Sequence, residues 1–130
     1  RGLAGHSDGD VLTHAVIDAL LGAAGLGDIG THFPSSDPRY RDIASMELLR
    51  QTLVMLEEHS WQARYVDATI LAERPVLIPF MGQIKQALAS SLRLDLESVN
   101  LKATTTDGLG FIGRGEGIAS LAIATVDQVT

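Results

Sequence analysis

The sequence predicts a single α+β domain, a small sheet with helices packed on one face. Three observations carry that expectation. Apolar residues recur at helical spacing over residues 11–20 and 43–58. Strand-like alternation then appears at 65–72 and 99–103, with a helix-spaced apolar stretch between the two. A chain of 130 residues, 45% hydrophobic and 20% charged, has the size and mix of one domain with a real core.

Val11, Leu12, Ala15, Val16, Ala19 and Leu20 make the first helix, running after Asp10 and ending among the three glycines of 22–27. Leu26 to Asp42 is a long connection, of the kind that is usually functional or mobile. The second helix runs from Ile43 to Glu58, with Ile43, Met46, Leu49, Leu53 and Leu56 on one stripe. In the strand at Tyr65–Ala72, Val66, Ala68, Ile70 and Ala72 share a face, and Glu73-Arg74-Pro75 ends it. Pro79 suits the first turn of a third helix that buries Phe80, Ile84, Leu88 and Leu92. After a turn at 95–98, Val99, Leu101 and Ala103 alternate again. Ile118 to Val126 is nearly all apolar or small, which predicts a strand buried on both faces. If the strands at 65–72 and 99–103 are parallel neighbours, the helix between them crosses over right-handed.

Composition excludes several functions. The net charge of −6, without a basic stripe bearing interleaved aromatics, argues against nucleic acid. No segment approaches the length of a membrane span, and Arg1-Gly2-Leu3-Ala4-Gly5 is neither a signal peptide nor a basic presequence. With no cysteine, a transition metal has only His, Asp or Glu to bind. An acidic protein that binds polyphosphate needs local cations, and divalent metals supply them economically.

Two constellations carry chemistry. His6-Ser7-Asp8-Gly9-Asp10-Val11-Leu12-Thr13-His14 places two imidazoles and two carboxylates at a helix entry, with Asp10 one turn before His14. Such a face can hold a metal, or the carboxylate can orient the imidazole; alternatively Asp8 or Asp10 caps the helix and His14 only packs. In Lys102 to Gly117, three threonines and Asp107 precede five glycines, with Arg114 among them. Hydroxyls can donate to phosphate, glycines let a ligand approach the backbone, and Asp107 can share a metal. No Gly-Lys-Ser/Thr follows, so this is not a Walker loop. Leu109 and Phe111 suit a loop anchor or an interface. His59 suits a helix C-terminus, Trp61 suits packing, and His32 reads as solvated, with a ligand contact as the alternative.

Together the helix-entry motif, Gly27-Asp28-Ile29-Gly30-x-x-Phe33-Pro34 and Lys102-Ala103-Thr104-Thr105-Thr106-Asp107-x-Leu109-Gly110-Phe111-x-Gly113-Arg114-Gly115-Glu116-Gly117 resemble the 2-C-methyl-D-erythritol 2,4-cyclodiphosphate synthase family. The likeness runs along essentially the whole chain. It implies a homotrimer with sites between neighbouring subunits. The implied reaction is cyclisation of 4-diphosphocytidyl-2-C-methyl-D-erythritol 2-phosphate with loss of CMP, a phosphorus–oxygen lyase activity of the non-mevalonate isoprenoid pathway. A bacterial cytoplasm is the expected location, a plastid the alternative.

By the same resemblance, His14 matches a zinc ligand and Asp107 a second-metal site for Mg²⁺ or Mn²⁺. His6 and Ser7 match contacts beside the reacting phosphate. Asp28, Ile29 and Gly30 match the grip on the methylerythritol, covered by Phe33, Pro34, Ser35, Ser36 and Asp37. Ala72, Glu73, Arg74, Pro75, Val76, Leu77 and Ile78 match the cytosine pocket. Thr104, Thr105, Thr106 and Asp107 match a phosphate site lent by the adjacent subunit, and His6 and Thr105 match the catalytic pair. Phe111, Arg114 and Glu116 match a central-cavity lining. The family's two other zinc ligands form an Asp-x-His pair on an earlier strand, and no Asp-x-His occurs here. The domain of residues 1–130 is therefore expected to lack its N-terminal strand. Asp107 replaces a common glutamate, Val76 a common lysine and Ser35 a common aspartate. Two rivals remain from other classes: an inactive nucleotide-binding module, and a metal-dependent phosphohydrolase using His6 and Asp8.

Overall fold

Alternation between residues 61 and 71 builds the central strand of the domain. The computed structural model describes residues 2–73, 78–114 and 117–129, with side chains from residue 9 onward except those of Ile78 and Phe111. In chain order the elements are α1 (Gly2–Ala23), α2 (Ile29–His32), α3 (Ser45–Glu58), β1 (Trp61–Leu71), α4 (Met81–Leu92), β2 (Val99–Thr104), α5 (Gly110–Gly113) and β3 (Ala119–Gln128). Short 3-10 turns occupy Pro38–Tyr40, Ile78–Phe80 and Leu96–Ser98.

The sheet order is β2-β1-β3. β1 runs parallel to β2 in the register Val66 to Val99, and antiparallel to β3 in the register Val66 to Ala124. The strand–helix–strand unit is thus β1–α4–β2, with its strands parallel neighbours as the spacing suggested. Val66, Ala68 and Ile70 on β1 and Val99 on β2 face the helices and are buried. Leu12, Val16, Ile17, Leu20 and Leu21 of α1 and Leu48, Leu49 and Leu56 of α3 close over them, with Leu88 and Leu92 of α4. Leu49 is fully buried. Leu49→Ala removes methylenes that neighbours cannot replace, so a loss of about 2–5 kcal/mol is expected in denaturant titrations. A change near zero would mean that α3 is not part of the core.

Four expectations need correction. The strand at 118–126 is not buried on both faces: Leu121 and Ile123 are 67% and 70% exposed, while Ala122, Ala124 and Val126 pack inward. The cause is architectural, since the described helices cover one face and leave the other open. α1 begins at Gly2 rather than after Asp10. No proline interrupts residues 2–10, and Gly5 and Gly9 weaken a helix by about 1 kcal/mol each without breaking it. Asp10 therefore lies inside α1 rather than at its start; its Oδ1 accepts from Ser45 Oγ at 2.5 Å, tying α1 to the start of α3. Ile43 precedes α3, which starts at Ser45, and β1 starts four residues before Tyr65 and stops at Leu71, short of Ala72. The long connection carries order of its own, in α2 and the Pro38–Tyr40 turn.

The end of α1 is closed by its glycines as the sequence suggests. Leu26 N donates to Leu21 O at 2.8 Å and Gly25 N to Gly22 O at 3.1 Å, with Gly25 at φ +70°. This pairing needs a left-handed residue at Gly25 and lets Leu26 fold back onto the core.

Candidate active site

At the C-terminal ends of β1 and β2 two expected site segments meet. Ala72 N donates to Thr104 O at 3.0 Å, holding the start of the 72–78 segment against the threonine loop. The loop then turns back on itself: Leu109 N donates to Thr106 O at 3.1 Å and Thr106 Oγ1 to Leu109 O at 2.8 Å. Asp107 N donates to Thr105 Oγ1 at 3.2 Å, and Asp107 takes a left-handed φ of +55°. Thr104, Thr105 and Asp107 remain exposed, so their oxygens face solvent rather than the core. Ile112, 8% exposed, anchors the loop in the domain, while Leu109 is 73% exposed. Ile112 was missed because an apolar residue among glycines carries no periodicity to mark it.

The glycines serve the loop's own packing. A Cβ on Gly113 would lie 2.1 Å from the carbonyl carbon of Gly108 and 2.6 Å from its Cα. The end of α5 approaches the Gly108 turn closely enough that only hydrogen fits between them.

Between α1 and α2, Asp28 Oδ1 accepts from Thr31 N at 2.8 Å and from Thr31 Oγ1 at 2.7 Å. Asp18 Oδ1 accepts from Ile29 N at 2.7 Å, so two carboxylates cap the first turn of α2. The Thr31 hydroxyl and then its amide hold the Asp28 carboxyl below its ordinary 3.8, with a smaller pull from His32. Because the folded value is lowered, this cap stabilises the fold above pH 3.8, and the contribution fades as pH falls through the lower folded value. Denaturant midpoints of wild type and Asp28→Ala should therefore draw together as pH falls below 3.8, meeting only below the lower folded value, and a gap that does not narrow there would contradict the cap.

The surrounding residues divide. Asp28, Gly30, Ser35 and Ser36 are exposed and Pro34 is half-buried. Phe33 packs inward: it is 8% exposed, edge-on to Tyr40 at 5.2 Å between centroids. Ile29 likewise packs on the core. Asp37 caps the Pro38–Tyr40 turn and pairs with Arg39 at 2.7 Å. His32 is half-buried rather than solvated, its Nε2 hydrogen-bonded to Leu26 O. His59 closes α3 as expected, its Nδ1 donating to Met55 O at 2.9 Å, and Trp61 packs against the core.

His14 is exposed on α1. At Gly9 this helix approaches α4, where an added Cβ would meet Ile84 Cδ1 at 3.9 Å. Among the described residues no hydrogen bond or ion pair links His14 or the Asp28–Asp37 loop to Thr104–Asp107. Nor do any three His, Asp or Glu side chains cluster there as a metal site. One exposed imidazole does not fit tight zinc coordination, which takes at least three protein ligands. Asp107, with only hydroxyls beside it, does not by itself fit a second metal either. His6 and Ser7 lie in α1 but their side chains are outside the described residues, as are Arg74, Pro75, Val76, Leu77 and Glu116 and the side chains of Ile78 and Phe111. Arg114 is exposed just after α5.

Two buried polar atoms, Glu73 Oε2 and Ser120 Oγ, have no partner among the described residues. Ser120 pairs in register with Ile70, so both mark the loop end of the sheet. A cavity of about 540 Å³ lies instead at the opposite end, between Trp61, Arg93 and Val129, and no expected site residue lines it.

The architecture and its exposed loop define a small α+β domain that presents threonine hydroxyls and glycine backbone where two parallel strands end. The chain belongs to the YgbB family, whose model matches residues 1–127. A 2-C-methyl-D-erythritol 2,4-cyclodiphosphate synthase of Desulfitobacterium hafniense is 54% identical over 129 residues, covering 99% of this chain and 82% of the relative. The synthase of Desulforamulus reducens is 52% identical over 127 residues, covering 98% and 81%. Among solved structures, the bifunctional IspDF of Campylobacter jejuni superposes with a TM-score of 0.85 at 42% identity. The match covers 91% of this chain and 32% of that one, so this chain spans about a third of the bifunctional protein. A CDP-bound 2C-methyl-D-erythritol-2,4-cyclodiphosphate synthase gives a TM-score of 0.80 at 31% identity, covering 88% and 74%. These relatives are enzymes by name. No helix among the described residues is long and apolar enough to cross a membrane.

Proposed function

We propose that this protein cyclises 4-diphosphocytidyl-2-C-methyl-D-erythritol 2-phosphate to 2-C-methyl-D-erythritol 2,4-cyclodiphosphate and releases CMP, acting as a phosphorus–oxygen lyase in a bacterial cytoplasm. The observation that supports the reading is the bond from Ala72 N to Thr104 O, which joins the first residue expected at the cytosine to the first residue expected at the phosphate. The CDP held by the solved relative supports a cytidine diphosphate-linked ligand here.

The substrate brings its own nucleophile. An oxygen of the 2-phosphate attacks the β-phosphorus, the bond from that phosphorus to the bridging oxygen breaks, and the oxygen leaves with the α-phosphorus as CMP. Phosphoryl transfer of this kind asks the protein for alignment and charge stabilisation rather than for a nucleophile. Thr105 Oγ donates to a non-bridging oxygen of the β-phosphate, and Thr104 and loop amides hold its neighbours. Asp28, ionised at neutral pH with Oδ2 outside its cap, accepts from the methylerythritol hydroxyls. The exocyclic amine of cytosine is the kind of donor that Glu73 Oε2 lacks. His6 joins from a second copy of the chain.

A homotrimer is part of this proposal. The open sheet face supports it, with Leu121 and Ile123 beside the Asp67–Lys102 pair at 3.0 Å. Incubation with the cytidylyl substrate tests the function: the expected result is CMP and the cyclic diphosphate in equal amounts. Orthophosphate release would favour the hydrolase, and binding without turnover would favour an inactive nucleotide-binding module.

A further inference from the structure

The ten residues from Ala24 to Phe33 form a closed ring of hydrogen bonds, and one side chain completes it. Leu26 N is fixed to α1 through Leu21 O, and Ile29 N through Asp18. On the far side Phe33 N returns to Ile29 O at 2.8 Å, with the Phe33 ring in the core. Between these anchors the chain passes Gly27, at φ +92°, and the exposed Asp28. The capping bonds of Asp28 run only to Thr31, so they hold the carboxylate to α2 but not α2 to the rest of the domain. His32 supplies a link that they omit: its Nε2–H donates to Leu26 O, from the last residue of α2 back to the closing turn of α1. A carbonyl only accepts, so the proton sits on Nε2 and the ring acts as a donor strap. Its edge also packs by Gly27, whose Cβ position would be 3.8 Å from Nε2.

We propose that His32 is a positioning residue that holds the Asp28 carboxylate in place for the polyol of the substrate. The part played by Asp28 rests on the function proposed above; the strap itself does not. An exposed carboxylate on a four-residue helix binds hydroxyls well only if it is already immobile, since ordering it at the moment of binding reduces affinity. His32 acts before the phosphates react, so its loss weakens binding and leaves the phosphoryl step nearly intact.

Two variants separate the roles. His32→Leu fills the space without a donor, and His32→Gln keeps an N–H at a similar reach. In His32→Leu, the amides of Ile29 and Thr31 should exchange with solvent at least about tenfold faster, and KM should rise about tenfold with kcat within about threefold. His32→Gln should restore most of both. Unchanged amide exchange in His32→Leu overturns the strap, whatever the kinetics. Faster exchange with an unchanged KM, while Asp28→Ala raises KM, overturns the positioning role. Should wild type form no cyclic product, the function proposed above fails, and amide exchange still decides whether His32 is the strap.

Discussion

Gly113→Ala is expected to lower turnover by at least about 10²-fold, since misplacing reacting groups by about 1 Å has effects of that size. The added methyl would meet Gly108 backbone at 2.1 Å, where ordinary contact begins at 3.4 Å. No side-chain rotation relieves it, because both partners are main chain. The loop must open, and the hydroxyls of Thr105 and Thr106 move with it. The core of the domain lies elsewhere, so Leu88, Leu92 and Val99 keep their packing. Parallel measurement of kcat and of far-UV circular dichroism checks this: activity should fall while the helical signal stays. Wild-type kcat in this variant would show that the close approach of Gly113 to Gly108 is not needed for the reaction.

Thr105→Ala should lower kcat by about 10² to 10³, the usual loss on removing one preorganised donor from a developing negative charge. The melting temperature should shift by less than about 2 °C, because Thr105 is exposed and its hydroxyl serves only Asp107 and its amide. Thr105→Ser keeps the hydroxyl and should recover most of the activity. An unchanged turnover in Thr105→Ala would remove Thr105 from the reaction.

Much of the fold was legible because its signals are local. The stripe of α3, the alternation of β1 and the glycine closure of α1 each follow from a few neighbouring residues. The errors arose where burial depends on what lies across from an element. Leu121 and Ile123 look like core in sequence, yet whether a second layer covers them is a property of assembly rather than of β3. His32 was invisible as a strap because its acceptor is a backbone carbonyl, which no residue type announces.

For the site, the order of three motifs taken together pointed to the threonine loop and Asp28; taken alone, a carboxylate beside glycine also suits a turn or a cap, and Asp28 does cap α2. What sequence could not supply is the distance between those groups. The account holds that two copies of the chain bring His6 and Thr105 together.

Mixing two inactive variants tests that claim most directly. His6→Ala and Thr105→Ala chains, each nearly inactive alone, should regain activity when unfolded together and refolded as hybrids. If each site takes His6 from one copy and Thr105 from its neighbour, about one quarter of the sites are intact in an equal mixture. Recovery to that level is the result the account predicts. A mixture as inactive as its components, in hybrids shown to have assembled, would contradict it.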